Sequence, residues 1–488
     1  MEHLVKFNHA TFTSTFIKLR FPKHFQISLS PSLKILSCII LSLISYFFLK
    51  QKQEHTFLAL SVIIFSYTIY KTYSISSSSS IYLVDYSCLK PPNWWRVPFS
   101  SFLEHSRIVH NLDQQSVDFM SKVLVSSGQS QRTCIPPPLH YIPPRSTHEE
   151  AIEEAKLVLF PVFEDLLSKT KISPLEIDII IVNCSGSCPS PSLSSIIINH
   201  YSMREDIKSY NISGMGCSAS ALAVIMAQDL LKVYKNSNVV ILSTEILSNG
   251  WYAGKNRSMM VLNCLFRAGG AAILISNKTS IKKNSKYRLL YAVRTQGAYD
   301  DIAYNSAIRE EDSEGNMGVT LKKDVLHVAG ELLRSNFHVL GSFVLPLEEK
   351  LRYGYSIMNK KWFDKSKEVY VPNFRKVIQH YCLPTSGKQV INEIGGKMKL
   401  KDEEIEAALM TLHRFGNQSS SSLWYELAYM EGKERVKQGE RVLQLGMGSG
   451  PKCNSLVWEC NRPIVGEAQK GPWADCIHEY PVYSHKDK

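Results

Sequence analysis

Three observations predict a layered α/β fold. Between Glu149 and Thr244, apolar runs of strand length alternate with stretches of helical period. A glycine turn within NISGMGCSAS, Asn211 to Ser220, delivers Cys217 to the start of an apolar helix. The chain has 488 residues, 44% of them hydrophobic, which is ample for two core-forming units. Such alternation implies parallel strands covered by helices through right-handed crossovers.

Residues 1–32 form a basic segment carrying Lys18, Arg20 and Lys23. Two apolar runs occupy 33–75: Leu33 to Leu49, broken only by Lys34 and a few serines, and Phe57 to Tyr70, which has no charge. Each is short for a bilayer core of ~30 Å, which takes about 20 residues. They are expected as two spans in a thin endoplasmic reticulum membrane, with Lys34 and Lys71 snorkelling, or as a re-entrant hairpin; two core helices are the soluble alternative. Two spans place the N-terminus and the large domain on one side, which the basic residues mark as cytosolic. The sequons at Asn183, Asn211, Asn256, Asn277 and Asn417 are then expected to carry no sugar.

Residues 76–81 read as a serine-rich linker, and a first half, 82–369, opens at YLVDYSC. Glu149 to Leu167 is expected as an acid-started helix kinked at Pro161, and Ile177 to Val182 as a strand with Asp178 its one charge. Helix Leu193 to Tyr201, strand Ile207 to Ile212, the Cys217 helix and strand Val239 to Thr244 follow. The second half, 370–488, is expected to hold helix Phe374 to Tyr381, a helix near Glu403 to Leu412, strand Arg441 to Leu445 and a glycine loop, Gly446 to Ser455. The charged run Lys433 to Arg441 reads as a solvated helix end and turn.

A net charge of +12 suits an anionic membrane surface or polyanionic substrates such as coenzyme A thioesters. No compact Lys/Arg block interleaved with aromatics appears, so nucleic acid is not an expected partner. The eleven cysteines lack the even spacing of a disulfide scaffold, and Cys184 with Cys188 has no second pair or histidine set for zinc. A reducing compartment and no metal are expected.

At a helix N-terminus, unsatisfied N–H groups and the positive dipole end favour thiolate, so Cys217 is expected to have a lowered pKa. The competing reading is a small buried hydrophobe. In TLHRFGNQSSSS the amide of Asn417 follows Gly416 in a turn, where it could donate to a thioester carbonyl or simply form the turn. One central thiol with downstream His and Asn is the general pattern of a cysteine-based acyl-transfer site.

The strings YLVDYSC, IPPPLHYIPP, PSPSLSSIIINHY, NISGMGCSAS, NRSMMVLNCLFRAGGAAILISN, LHRFGNQSSSSLWYELAY and GMGSGPKCNS resemble the plant 3-ketoacyl-CoA synthases, membrane-bound condensing enzymes of very-long-chain fatty acid elongation. The resemblance covers the whole chain. It implies a thiolase-like five-layered αβαβα fold of two related halves, a homodimer or a dimer with a related synthase, acyl-CoA and malonyl-CoA as substrates, no cofactor, and elongase reductase and dehydratase partners. Type III polyketide synthases share the superfamily but usually lack the paired membrane runs.

The resemblance makes Cys217 the acyl-accepting nucleophile and Asn417 the binder of the malonyl thioester carbonyl. The backbone N–H groups of Cys217 and Ser449 become the oxyanion donors. His413 matches a usual family histidine, and its role is either direct or in orienting the Asn417 turn. His380 matches the first histidine of a motif that typically reads EHFCIHAGG. Here the motif reads QHYCLPTSG, so the histidine expected beside Asn417 is Pro384, and the histidine of RTHKGADD is Gln296 in RTQGAYDD. Proline offers neither a titratable group nor a backbone donor. Condensation is expected to suffer more than acylation, unless His380, expected at a helix end, moves into the pocket. A catalytically silent paralogue that binds acyl-CoA or pairs with an active synthase is the alternative.

Overall fold

The computed structural model describes residues 80–482 except 111, together with 61, 65 and 66. The two apolar runs lie, those three positions aside, outside the described residues.

In chain order, β1 (Tyr82–Cys88) leads to α1 (Phe99–His110) and α2 (Gln114–Ser126), then to α3 (His148–Thr170), which runs through Pro161. The Thr147 hydroxyl accepts from the Glu150 N–H, and Glu149 and Glu150 face the positive helix end, so α3 starts where the acidic run begins. β2 (Ile179–Asn183), α4 (Leu193–His200), β3 (Lys208–Ile212), α5 (Ala219–Val233) and β4 (Asn238–Thr244) follow. α6 (Arg257–Leu265), β5 (Gly270–Ser276), β6 (Tyr287–Gln296), α7 (Asp301–Tyr304) and the hairpin β7 (Ala307–Glu311) and β8 (Met317–Leu321) come next. Helices α8 (Val325–Val344) and α9 (Leu347–Trp362) precede β9 (His380–Cys382), α10 (Lys388–Met398), α11 (Asp402–Phe415) and α12 (Ser422–Gly432). β10 (Arg441–Gly448) and β11 (Lys452–Cys460) complete the regular strands.

Nine strands form one mixed sheet in the order β3-β2-β4-β5-β1-β6-β11-β10-β9. Its two wings meet where Tyr82 and Leu83 pair with Arg288 and Tyr287. One apolar cluster packs α3 and α4 on the outer face of the first wing, through Phe163, Leu166 and Ile197. A second puts α5 and α12 between the wings, with Val224, Leu231, Trp424 and Tyr425 against Ile181, Ile241, Leu456 and Trp458. A third covers the far face of the second wing with α8, α10 and α11. Helices therefore cover both faces of each wing. α5 and its lead-in, Gly216–Val233, form the one described helix long and apolar enough to cross a membrane. Its apolar surface is instead taken up by the central layer.

Three expectations are corrected. First, only β2–β3, β2–β4 and β9–β10 pair parallel; the other pairs of the large sheet are antiparallel. Between β4 and β5 the chain visits a satellite core with α1, α2 and α6 rather than crossing the sheet, and so returns reversed. Second, Phe374 to Tyr381 is not a helix: a single 3-10 turn, Phe374–Lys376, leads into β9, whose Tyr381 and Cys382 are fully buried beside β10. Pairing with β10 and burial favour a strand, and so do the β-branched and aromatic residues of FRKVIQHY. Third, the glycine stretch is mostly strand, with β10 running to Gly448 and turning tightly into β11.

Candidate active site

The chain leaves β3 and turns through Gly214 (φ +66°) and Gly216 (φ +56°) into a 3-10 turn, Gly216–Ser218, continuous with α5. Cys217 sits on that turn, half-buried. The Ser218 hydroxyl closes the turn on the Met215 carbonyl at 2.7 Å. The β10–β11 hairpin lies directly against it. A Cβ on Gly216 would fall 2.6 Å from the Ser449 nitrogen, and one on Gly448 would fall 2.2 Å from the Met215 oxygen. Only glycine permits this approach, which brings the Ser449 N–H beside the Cys217 turn.

Asn417 arrives from the other wing. α11 ends at Phe415, and Gly416 (φ +78°) reverses the chain where a Cβ would strike the Arg267 side chain at 2.3 Å. The Asn417 backbone then bridges Phe266, its carbonyl accepting from the Arg267 N–H at 2.9 Å. Its side-chain Oδ1 accepts from the Ser419 N–H at 2.8 Å and the Thr385 hydroxyl at 3.5 Å. Since an N–H can only donate, the amide oxygen points inward and the NH2 end remains to donate.

The serine run joins the two wings. Ser420 donates to Asn183 Oδ1 at 2.8 Å, and Ser421 to the Ser243 carbonyl at 2.9 Å, on the ends of β2 and β4. Ser419 occupies the left-handed region, φ +56°, a costly state for a residue with a side chain. There its hydroxyl lies 3.4 Å from Cys217 Sγ and 3.0 Å from Glu245 Oε2. Glu245 Oε1 in turn accepts the N–H groups of Ser185 at 3.1 Å and Gly186 at 2.6 Å.

This setting corrects the expected thiolate. Burial pushes the Cys217 thiol up to about 11; the Ser419 hydrogen bond opposes the rise and the Glu245 charge adds to it. Burial also raises the Glu245 carboxyl, against the hydrogen bonds from Gly186, Ser419 and Ser185. Loss of solvent and a nearby carboxylate outweigh the helix terminus.

Neither histidine joins Cys217. His380 opens β9, with its ring nitrogen 2.8 Å from Glu440. It pairs with Val442, six residues before Gly448, roughly 20 Å along a strand from the Cys217 turn at about 3.3 Å per residue. His413 sits in the last turn of α11, its Nδ1 3.1 Å from the Tyr480 hydroxyl, while its carbonyl accepts from the Ser130 N–H. Burial, with Arg132 and Arg414 nearby, lowers its pKa. Pro384 lies between Leu383, whose N–H donates to Glu426 at 2.7 Å, and Thr385, which reaches Asn417. Gln296 ends β6 opposite Lys452, 3.3 Å from the Arg294 guanidinium.

Sequence reasoning missed Ser419, Glu245 and Thr385. An acid directly after the apolar strand ending in Ser243 and Thr244 was the available signal, since open α/β sheets place functional groups at the carboxyl ends of strands. Nothing local separates Ser419 from its three serine neighbours.

The fold is that of a fungal type III polyketide synthase, ORAS, with a TM-score of 0.62 at 13% identity over 78% of this chain and 100% of that one. The 1,3,6,8-tetrahydroxynaphthalene synthase of Streptomyces coelicolor A3(2) gives 0.59 at 18% identity, covering 78% and 99%. The fold is thus mixed α/β and thiolase-like, with Cys217 at a helix start and the Asn417 amide one serine away. Residues 73–362 match the FAE1/type III polyketide synthase-like protein family, and 375–460 match the C-terminal part of 3-oxoacyl-[acyl-carrier-protein] synthase III. Among Arabidopsis thaliana proteins, 3-ketoacyl-CoA synthase 5 is 49% identical over 86% of this chain and 85% of its own length. 3-Ketoacyl-CoA synthase 6 is 47% identical over 84% and 82%. The chain belongs to the 3-ketoacyl-CoA synthase family.

Proposed function

We propose that this protein catalyses the decarboxylative condensation of malonyl-CoA with a long-chain acyl group held on Cys217, extending it by two carbons in very-long-chain fatty acid elongation. The observation that carries the reading is the Cys217–Ser419–Asn417 cluster: a cysteine on a half-buried turn whose hydrogen-bonded neighbour also anchors the Asn417 amide. Cys217 sulfur attacks the acyl-CoA carbonyl, forming a thioester and releasing CoA. The N–H groups of Cys217 and Ser449 stabilise the tetrahedral oxyanion. Malonyl-CoA then loses carbon dioxide, and the resulting carbanion attacks the acyl-cysteine to free Cys217 and form the 3-ketoacyl-CoA.

Asn417 donates through Nδ2 to the malonyl thioester oxygen, where charge collects. With Pro384 in place of a second donor, that charge is less well stabilised, and condensation runs slower than acylation. A titrating partner is typically worth ~10² to 10⁴ in rate. No cofactor takes part, and His380 and His413 serve structure through Glu440 and Tyr480. The apolar runs at 33–75 hold the enzyme to the endoplasmic reticulum membrane with its catalytic part in the cytosol. It works as a dimer and hands its product to a reductase and a dehydratase.

Pro384 favours a second reading, a silent paralogue that binds acyl-CoA or pairs with an active synthase. To separate the two, the purified protein is incubated with radiolabelled long-chain acyl-CoA, then with malonyl-CoA, while label on Cys217 and carbon dioxide release are followed. Label that transfers to a ketone product supports the synthase. Absence of label leaves only the silent reading.

A further inference from the structure

A condensing site whose histidines are engaged elsewhere still has to remove the Cys217 proton when the acyl group arrives. We propose that Ser419 is a catalytic proton shuttle and that Glu245 is the acceptor behind it, so that Cys217 is activated through a cysteine–serine–glutamate relay. This rests on the synthase reading and deepens it.

The geometry has the continuity a relay needs. Sγ, the Ser419 hydroxyl and the Glu245 carboxylate form consecutive contacts of 3.4 and 3.0 Å. A hydroxyl is both donor and acceptor, so it can accept the thiol proton from one side while giving its own to the other. Each end is fixed. The Ser185 and Gly186 N–H groups hold one Glu245 oxygen, leaving the other for Ser419. The Asn417 amide holds the Ser419 N–H, which keeps that residue in its left-handed conformation. Backbone strain maintained in this way concentrates at functional positions.

The other ionisable groups around Glu245 come from four directions. Cys184, after β2, places its sulfur 3.8 Å from Oε1, and burial raises its pKa well above the usual thiol range. Glu154, on α3, has a pKa pushed by burial to about 7, with Glu245 contributing. Cys217 faces it across Ser419. Arg309, on β7, donates to the Gly186 carbonyl at 3.0 Å. Burial raises Glu245 itself, which brings a carboxylate base closer to working pH.

In the acylation step the thiol proton passes to Ser419 Oγ as the Ser419 proton passes to Glu245. The C–S bond to Cys217 forms and the C–S bond to CoA breaks. Returning along the same path, the proton leaves on the CoA thiolate, and Glu245 is again ionised.

The test is iodoacetamide alkylation of the full-length protein in detergent between pH 6 and 10, with Cys217 modification followed by peptide mass spectrometry. A relay gives the wild type a pH-independent shelf of reactivity below the ionisation of the thiol itself. Glu245→Gln and Ser419→Gly should both lose that shelf and react roughly 10²-fold more slowly at pH 7. Glycine takes the left-handed conformation freely, so the second variant removes the hydroxyl without straining the turn. Circular dichroism checks the fold of both. If Glu245 acts only as a repelling charge, Glu245→Gln reacts faster than wild type at every pH; that result, or a shelf that survives in Ser419→Gly, overturns the relay. Alkylation uses no acyl-CoA, so a protein with the shelf that takes no acyl label sinks the synthase reading alone. Acyl labelling without the shelf sinks the relay alone.

Discussion

On the proposed function, position 384 is where a second donor to the malonyl oxygen would stand. Pro384 directly precedes Thr385, whose hydroxyl touches Asn417. Pro384→His is expected to raise carbon dioxide release and ketone formation by ~10² to 10⁴ while leaving the rate of acyl labelling of Cys217 unchanged. A variant whose labelling and condensation both stay at wild-type levels would remove position 384 from the chemistry. His380→Gln, by contrast, should leave both rates near wild type, because its ring is committed to Glu440.

At the level of elements, the glycine-built contact between the β10–β11 hairpin and the Cys217 turn leaves least room for a side chain. Gly448→Ala introduces a methyl group 2.2 Å from the Met215 oxygen and 2.8 Å from Ser218 Oγ. The strands cannot separate without breaking the β10–β11 ladder, so the turn must shift. The expected outcome is loss of acyl labelling with a destabilisation of about 1–3 kcal/mol by urea titration. A second element-level device joins α9 to the chain that follows it. Glu349 is buried, which alone would raise its carboxyl, yet Lys376, the Asn373 N–H and the Tyr370 hydroxyl together hold it down to about 2 from an ordinary 4.5. A carboxyl depressed on folding stabilises the native state above its unfolded pKa and loses that contribution as pH falls from about 4.5 through 2. Wild type should therefore lose urea resistance more steeply than Glu349→Gln across that interval. Parallel curves would show that the ion pair contributes nothing.

Across the whole molecule, Lys286 ties parts that are distant in sequence. Its ammonium, buried where the two wings of the sheet meet, lies 3.0 Å from Asp85 on β1, 2.9 Å from Glu431 on α12 and 3.4 Å from Glu467 beyond β11. Burial disfavours the charge, but the three carboxylates more than offset it and raise the pKa. Lys286→Ala leaves those carboxylates facing one another and is expected to cost about 3–5 kcal/mol at neutral pH. The loss should shrink as pH falls and Glu431, already raised by burial, takes up a proton. A loss that does not change with pH would argue that packing, not charge, is at stake.

What the sequence determined by itself was local. Strands β2, β3 and β4, the helices between them, the glycine turn at Cys217 and the break at Gly416 all follow from apolar period and from backbone conformations that only glycine adopts freely. Strand direction, the β9 strand in place of a helix and the β10–β11 hairpin were settled by neighbours in the sheet, which no local window contains. The same holds for the site. Cys217 and Asn417 were legible because each stands at a marked turn, whereas Ser419 and Glu245 meet only when residues 174 apart in sequence are folded within hydrogen-bond reach. Tertiary structure also reversed the expected charge state of the thiol, because removal from water outweighs the field of one helix terminus.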